Sequence, residues 1–151
     1  MPNVTASGLK IEQLRLLAND AQQTHRQLEA VLCSLAGSDE EAQWASEALE
    51  NCGAAPLETV PAVASFVQHA DELVASWACK LLARQGTGAQ SAQAQLVAAL
   101  TQDSRELVRE EAARALGQVG NHTEAARAAL MTAAAQGSPR LKRLATASLG
   151  G

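Results

Sequence analysis

Acidic and basic side chains crowd the segment DSRELVREEAARALGQVG, residues 103–120, at spacings that could serve catalysis or metal binding. Carboxylates about one helical turn apart can do acid–base work. Acids and arginines three or four positions apart on a helix can equally form ion pairs. We expect a solvated ion-pair ladder and no catalytic residue. The charged residues concerned are Arg105, Glu106, Arg109, Glu110, Glu111 and Arg114.

The three histidines, His25, His69 and His122, are spread along the chain and form no HxxxH or HExxH arrangement. We expect exposed side chains beside turns rather than metal ligands. GxSxG, a Cys-His constellation and a phosphate-binding loop are also missing from the sequence. The sequence therefore predicts no metal site, no cofactor and no enzymatic activity.

The composition predicts an all-α protein. Apolar residues make up 47% of the chain and aromatic residues only 2%, and alanine, the best helix former, is the most frequent residue. The net charge of −4 argues against a nucleic-acid binder, which usually carries a basic stripe. Residues 1–75 hold 3 basic and 11 acidic side chains, whereas residues 76–151 hold 9 and 5. This polarity either supports weak head-to-tail self-association or is mere drift of surface charge.

The cysteines, Cys33, Cys52 and Cys79, are odd in number and lack a CxxC spacing. They predict reduced, mostly buried thiols in a reducing cytoplasm. The first ten residues do not have the basic start and apolar run of a signal peptide, and no apolar stretch is long enough to span a membrane. We therefore expect a cytoplasmic protein without membrane contact.

The segment at residues 103–120 is one of four related copies. Each copy has an alanine in mid-helix, and these alanines recur at nearly equal steps along the chain. A leucine follows four positions after each alanine, and three copies end at a glycine, a common helix stop. The matching positions are Ala45, Ala78, Ala112 and Ala145, then Leu49, Leu82, Leu116 and Leu149, and finally Gly53, Gly86 and Gly120. The copies begin at Asp39, Asp71, Asp103 and Ser138, residues able to start or cap a helix.

The intervening segments repeat as well, with apolar pairs at i and i+4 that begin at Val31, Val63, Leu96 and Leu130. Each period thus holds two helices. The sequence predicts one domain of about nine helices: a leading helix at about 9–19 and repeats at about 22–53, 55–86, 88–120 and 122–150. Residues 1–8 are predicted to be a disordered tail. Because a single helix pair cannot bury its apolar face, stacked pairs predict an α-solenoid.

The third copy carries an acid, then Val-Arg, then an alanine-rich helix that ends Ala-Leu-Gly-x-hydrophobic-Gly. These residues are Asp103, Val108, Arg109, Ala112, Ala113 and 115–120. This pattern resembles HEAT-like repeats in the short form named after phycobilisome lyase subunits. The resemblance covers about 23–150 and implies a right-handed α-solenoid, a bacterial source and a surface for binding. The first copy departs from it, because Glu41 takes the place of Val74 and Val108, so weaker packing is expected there.

The resemblance also brings two chemistries to consider. HEAT-like deoxyhypusine hydroxylases bind two irons through His-Glu pairs, and this sequence contains no His-Glu dipeptide. HEAT-like DNA glycosylases use a strongly basic face, whereas this chain is acidic and has one basic cluster, at residues 140–143. A bilin lyase-like subunit, or an accessory subunit of an enzyme complex, stays open as an alternative function.

Trp44 and Trp77 are separated by one repeat period and therefore occupy the same repeat position, which Glu111 fills in the third copy. Because burying a glutamate is costly, we expect this position to lie outside the deep core. Two tryptophans about 10 Å apart on the concave face would form an apolar binding ridge; alternatively, both rings fill gaps beside small alanines. The candidate partner-binding residues are Trp44, Trp77, Glu111, Gln43, Glu47, Lys80, Glu110 and Arg114. The predicted function is a non-catalytic scaffold for another protein of unknown identity.

Overall fold

The computed structural model describes residues 9–120 and 122–150, and within these ranges the chain is helical and contains no strand. The chain divides into two compact units, residues 1–56 and residues 57–151. The tail predicted at residues 1–8 lies outside the described residues. The prediction of one continuous domain stays a prediction, and each unit is described below by itself.

The first unit contains four helical segments: α1 (Ile11–Leu17), α2 (Ala21–Arg26), α3 (Leu28–Ser34) and α4 (Asp39–Asn51). Helix α4 packs against the other three, and the side chains of Leu14, Val31 and Leu49 are fully buried between them. The Thr24 hydroxyl donates to the carbonyl of Leu17 at 2.8 Å, which secures the corner between α1 and α2. The Asn51 amide donates to the carbonyl of Ala18 at 2.9 Å and so ties the end of α4 to the end of α1.

The second unit contains α5 (Val60–Ser65), α6 (Glu72–Gln85), α7 (Gln93–Gln102), α8 (Glu106–Val119), α9 (Glu124–Gln136) and α10 (Pro139–Gly150). Short 3-10 helices, Leu57–Thr59 and Gly86–Ala92, precede α5 and α7. The second helices of successive repeats, α6, α8 and α10, pack along one another, and α7 and α9 pack behind them. This arrangement confirms stacked helix pairs, as expected of a solenoid. The right hand of the superhelix stays a prediction.

The close approach of the second helices depends on small residues. Ala78, Ala112 and Ala145, the repeated alanines of this unit, are all fully buried. Beside them, the Ser148 hydroxyl on α10 donates to the carbonyl of Ala113 on α8 at 2.7 Å. A Cβ atom added at Gly117 would lie only 2.5 Å from the Ser148 oxygen. Glycine at position 117 is therefore required for this contact between neighbouring repeats.

The helix ends confirm three predicted stops and correct one predicted start. Gly53, Gly86 and Gly120 have φ of 66°, 55° and 70°, the left-handed conformation that glycine adopts without strain. Asp71 caps α6 by accepting from the backbone N–H groups of residues 73 and 74. Asp103 was expected to begin α8, but the helix begins at Glu106 and Asp103 does not cap it. Its carboxylate accepts instead from the backbone and the guanidinium of Arg105.

The first repeat departs from the others in its first helix, which is interrupted at Gln27 into α2 and α3. With these two segments taken as one interrupted helix, the described residues hold the nine helices that were predicted. Glu41, the residue that replaces an apolar side chain in this repeat, is half-buried, whereas Val74 and Val108 are fully buried. The Glu41 carboxylate accepts from the Ser38 N–H at 2.7 Å and completes a capping box at the start of α4. Capping thus replaces apolar packing at this position.

Candidate interaction surface

Helix α4 presents a half-buried tryptophan beside an open cavity in the first unit. The cavity has a volume of about 540 Å³. Three of its five lining residues are acidic, and we call it the acidic cleft: Asp39, Glu40, Gln43, Trp44 and Glu47. All five belong to α4, and four of them are exposed to solvent while Trp44 is half-buried. The cleft thus combines an aromatic surface with three carboxylates on one helix face.

A cation lies over the Trp44 ring. The guanidinium carbon of Arg15, an exposed residue of α1, is 5.6 Å from the ring centroid. This distance falls within the range of a cation–π interaction, in which the negative face of the ring attracts the positive charge. The face of α4 that carries Trp44 therefore already accommodates one guanidinium from another helix.

Trp77 differs from Trp44 in its surroundings, although the two occupy the same repeat position. Only 3% of Trp77 is exposed, and two cations of its own helix lie over the ring. The Lys80 nitrogen is 4.8 Å and the Arg84 guanidinium carbon 5.5 Å from the ring centroid. The prediction that this repeat position avoids the core is therefore wrong for Trp77. Packing between helices, rather than solvent contact, accounts for this tryptophan.

Glu111, the third residue at this position, is also buried, with 7% of its surface exposed. Its nearest cation is Arg114, whose Nε lies 4.0 Å from the carboxylate. The sequence analysis expected Glu111 to lie outside the core, because burying a carboxylate is costly. That expectation is wrong, since Glu111 is buried. Burial raises the pKa of the Cys79 thiol to about 12, and the negative charges of Glu111 and Asp103 contribute to this rise. We therefore expect Cys79 to stay protonated and unreactive in the folded protein.

The predicted ion-pair ladder on α8 exists only in part. The pair between Glu106 and Arg109 is present at 3.5 Å and is exposed. Glu110, however, pairs at 3.3 Å with Arg140 on α10 rather than with Arg114 on its own helix. Its side chain is only 12% exposed. The ladder is thus neither fully solvated nor confined to one helix, because Glu110 links neighbouring repeats.

Arg105 makes a second link between repeats. Its guanidinium donates to the carbonyl oxygens of Ala70 at 2.8 Å and His69 at 3.0 Å, both in the turn between α5 and α6. The same guanidinium pairs with Asp103 at 2.9 Å. The hydrogen bonds and charge of Arg105 lower the pKa of the Asp103 carboxyl despite its partial burial. These contacts give the charges of Asp103 and Arg105 a structural role.

A family model for HEAT repeats matches residues 60–150, more than half of the chain. The chain belongs to the HEAT-repeat family. The match covers HEAT repeats in general and does not identify the phycobilisome-lyase short form. No curated protein matches the sequence. The matched residues lie within the second unit, whereas the acidic cleft belongs to the first.

The predicted surface residues of this HEAT-repeat chain fall into two groups. Gln43, Trp44 and Glu47 line the acidic cleft of the first unit, and the other five lie on α6 and α8 of the second unit: Trp77, Lys80, Glu110, Glu111 and Arg114. Of those five, Arg114 is exposed and Lys80 and Glu110 are half-buried. Because Trp77 is buried, it does not present the exposed ring that the predicted ridge with Trp44 requires, and that prediction is corrected for Trp77.

Sequence reasoning missed three residues at the cleft. Asp39 and Glu40 form an acidic run at the start of the second helix of the repeat, and this run was a usable signal. Arg15 was not identifiable, because it lies on the leading helix, far before Trp44 in the chain, and no repeat pattern relates the two. The contact arises only when α1 packs against α4.

The histidine rings of this HEAT-repeat chain contact backbone groups near the ends of helices. His25 Nε2 is 2.9 Å from the carbonyl of Cys52, and His122 Nε2 is 2.8 Å from that of Leu116. His69 Nδ1 accepts from the N–H of Asp71 at 3.0 Å. All three are half-buried rather than exposed, which corrects that expectation. Among the described residues, no group of three or more His, Cys, Asp or Glu side chains could hold a metal ion.

The cysteines are free thiols, with Cys52 and Cys79 buried and Cys33 half-buried. Burial is the main reason that the pKa of Cys33 is raised, and the negative charge of Glu29 adds to it. None of the helices formed by the described residues combines the length and the apolar character needed to cross a membrane. The cytoplasmic location stays a prediction.

Proposed function

We propose that this HEAT-repeat chain is a non-catalytic adaptor that binds another protein through the acidic cleft of α4. HEAT repeats in general serve as scaffolds for protein interactions. The single observation that carries the proposal is the half-buried Trp44 beside a cavity of about 540 Å³, while the equivalent Trp77 is buried and covered by its own helix. Tryptophan is among the residue types most enriched in binding hot spots.

The mechanism follows from the rigidity of the site. All five cleft residues project from one 13-residue helix that is capped at its start by Ser38 and Glu41 and tied at its end by Asn51. A preformed helical surface loses little conformational entropy on binding, so more of the contact energy is retained as affinity. The partner would cover Trp44 and exchange the water around the carboxylates for its own polar groups.

Trp44→Ala tests the proposal with Met131→Ala as its control. Both residues are large, apolar and accessible to solvent, and Met131 lies on α9 in the second unit. We expect the tagged wild-type chain and the Met131→Ala variant to capture a protein from the source cells. The Trp44→Ala variant should not capture it. All three chains should show the same helical circular dichroism. A photo-crosslinking residue at Gln43 should label the same protein, and one at exposed Thr132 should not. Retention by Trp44→Ala together with equal labelling from both positions would contradict the proposal.

The polar candidates of the second unit form a separate hypothesis. Lys80, Glu110 and Arg114 would contact a partner that binds along α6 and α8 of this unit. Arg114→Ala is the best test, because this side chain is 50% exposed and its nearest acid lies at 4.0 Å. The alternative of a bilin lyase-like or other accessory subunit is tested by the absorbance spectrum after mixing with a bilin.

A further inference from the structure

The two tryptophans of the repeat obtain their cations from different sources. Trp77 is covered by Lys80 and Arg84 of its own helix, one turn and two turns further along. The equivalent positions of the preceding repeat, on α4, hold Glu47 and Asn51. Helix α4 therefore places a carboxylate where α6 places an ammonium group, and its tryptophan has no cation from its own helix among the contacts of the described residues.

The only cation over Trp44 among the described residues comes from a different helix, α1, as the exposed Arg15. The ring nevertheless stays half-buried rather than covered. The cavity beside it is lined by the carboxylates of Asp39, Glu40 and Glu47. Within residues 9–120 and 122–150, none of these three carboxylates forms an ion pair. The site thus offers three carboxylates beside a partly exposed indole ring to a further cation.

We propose that the acidic cleft binds an arginine-rich segment of the partner protein, and this inference rests on the function proposed above. A guanidinium can stack on the Trp44 ring while its N–H groups donate to Glu47 or Glu40. Arginine is favoured over lysine, because its planar group stacks and donates two parallel hydrogen bonds to a carboxylate. The open cavity of about 540 Å³ is large enough to admit a guanidinium group.

The charge of the surroundings argues for the same occupant. The first unit, residues 1–56, carries 3 basic and 8 acidic side chains, so the field around α4 attracts cations. A nucleic acid or an anionic lipid would be repelled by that field. An apolar helix would have to remove the carboxylates from water without pairing them, which is unfavourable. A basic peptide is the occupant that pairs these groups instead of burying them alone.

The test uses the full chain and a peptide of alternating arginine and glycine, with an alternating glutamate and glycine peptide as its control. The chain has two tryptophans and no tyrosine, so binding at Trp44 changes the intrinsic fluorescence. We expect the arginine peptide to change the emission and the glutamate peptide to leave it unchanged. The Trp44→Phe variant should lose the response, because Trp77 is buried. Raising the salt from about 0.05 M to about 0.5 M should weaken binding.

Two variants of α4 separate a specific site from general charge attraction. Glu47→Gln removes a cleft carboxylate, and Glu50→Gln removes the same charge from an exposed residue of the same helix that does not line the cleft. Isothermal calorimetry should show about a threefold to fivefold weaker affinity for Glu47→Gln and no change for Glu50→Gln. Trp44→Ala should weaken binding about fivefold to tenfold. Equal effects of the two glutamine variants would overturn the proposed site.

The remaining outcomes distinguish this inference from the adaptor proposal. If no arginine peptide binds but capture of a cellular protein still depends on Trp44, the basic segment is refuted and the adaptor function survives. If the peptide binds in a Trp44-dependent way but no protein is captured through Trp44, the cleft chemistry stands and the adaptor function fails. If dilution alone changes the fluorescence and Arg143→Glu removes that change, a second copy fills the cleft and the partner segment is refuted.

Discussion

Replacing each tryptophan by alanine should separate packing from surface exposure at one repeat position. Trp77→Ala removes a side chain that is 3% exposed and lies on α6, which packs against α8. Trp44→Ala removes a half-buried side chain at the edge of a cavity. We expect Trp77→Ala to lower the free energy of unfolding far more than Trp44→Ala does.

The magnitudes follow from the buried area. A tryptophan buries about 150 to 250 Å² when fully enclosed, and at about 25 cal/mol per Å² this corresponds to about 4 to 6 kcal/mol. Mutational data for enclosed tryptophans give about 3 to 5 kcal/mol, and we adopt that range for Trp77→Ala. Half of that area, less the part that the alanine Cβ retains, gives about 1 to 2 kcal/mol for Trp44→Ala. The expected difference is thus about 1 to 4 kcal/mol.

Equilibrium urea unfolding followed by far-ultraviolet circular dichroism measures both losses of free energy, because helix content reports on both units. Tryptophan fluorescence is less suitable, because each variant removes one of the two tryptophans. Each loss is the shift of the transition midpoint multiplied by its slope. Met131→Ala serves as the control, because Met131 is 57% exposed and should cost less than about 1 kcal/mol. Equal losses for the two tryptophan variants, or a larger loss for Trp44→Ala, would refute the assignment of Trp77 to packing and Trp44 to the surface.

Three further predictions concern groups outside the cleft. Arg105→Met should lower the free energy of unfolding by about 2 kcal/mol in urea titrations, because two carbonyls and the Asp103 carboxylate lose a charged donor. The control Arg127→Met, at an exposed residue, should leave the free energy of unfolding almost unchanged. Because the folded-state pKa of Asp103 is lowered, the Asp103 carboxylate contributes fully to the free energy of unfolding above about pH 4, and this contribution is lost as the pH falls through the folded-state pKa. Asp103→Asn should therefore reduce the dependence of the unfolding midpoint on acid pH. A disulfide reagent at about pH 8 should label Cys33 in the folded protein and Cys79 only after unfolding. Mass spectrometry of the labelled peptides measures the order, and labelling of Cys79 before Cys33 would contradict this prediction.

The repeat architecture was predictable because its signals are local and recur at a nearly fixed spacing. Buried alanines and glycines with positive φ mark the same places in successive copies. The start of α8 was not predictable by this logic. Asp103 has the residue type of a cap, yet its carboxylate is taken by Arg105, whose guanidinium also reaches the turn between α5 and α6. A contact with the preceding repeat overrode a local preference.

The site was predictable only in part, for a related physical reason. Repeat phase correctly indicated that Trp44, Gln43 and Glu47 share a helix face, because that follows from helical spacing alone. It did not indicate which of the equivalent tryptophans is accessible. Burial depends on the size of the neighbouring side chains, and these vary among the copies even where the backbone repeats.

Trp44, Trp77 and Glu111 illustrate this limit, since equivalence in the repeat does not make their environments equal. Trp77 and Glu111 lie on adjacent packed helices, α6 and α8, and are both buried, with neighbouring cations on their own helices. Helix α4 supplies an acid where α6 supplies Lys80, so its tryptophan depends on cations from elsewhere. The second and third copies bury their aromatic or acidic group at this position within the second unit. The copy that departs most from the pattern leaves such groups accessible, and for that reason the departure identifies the better candidate for binding.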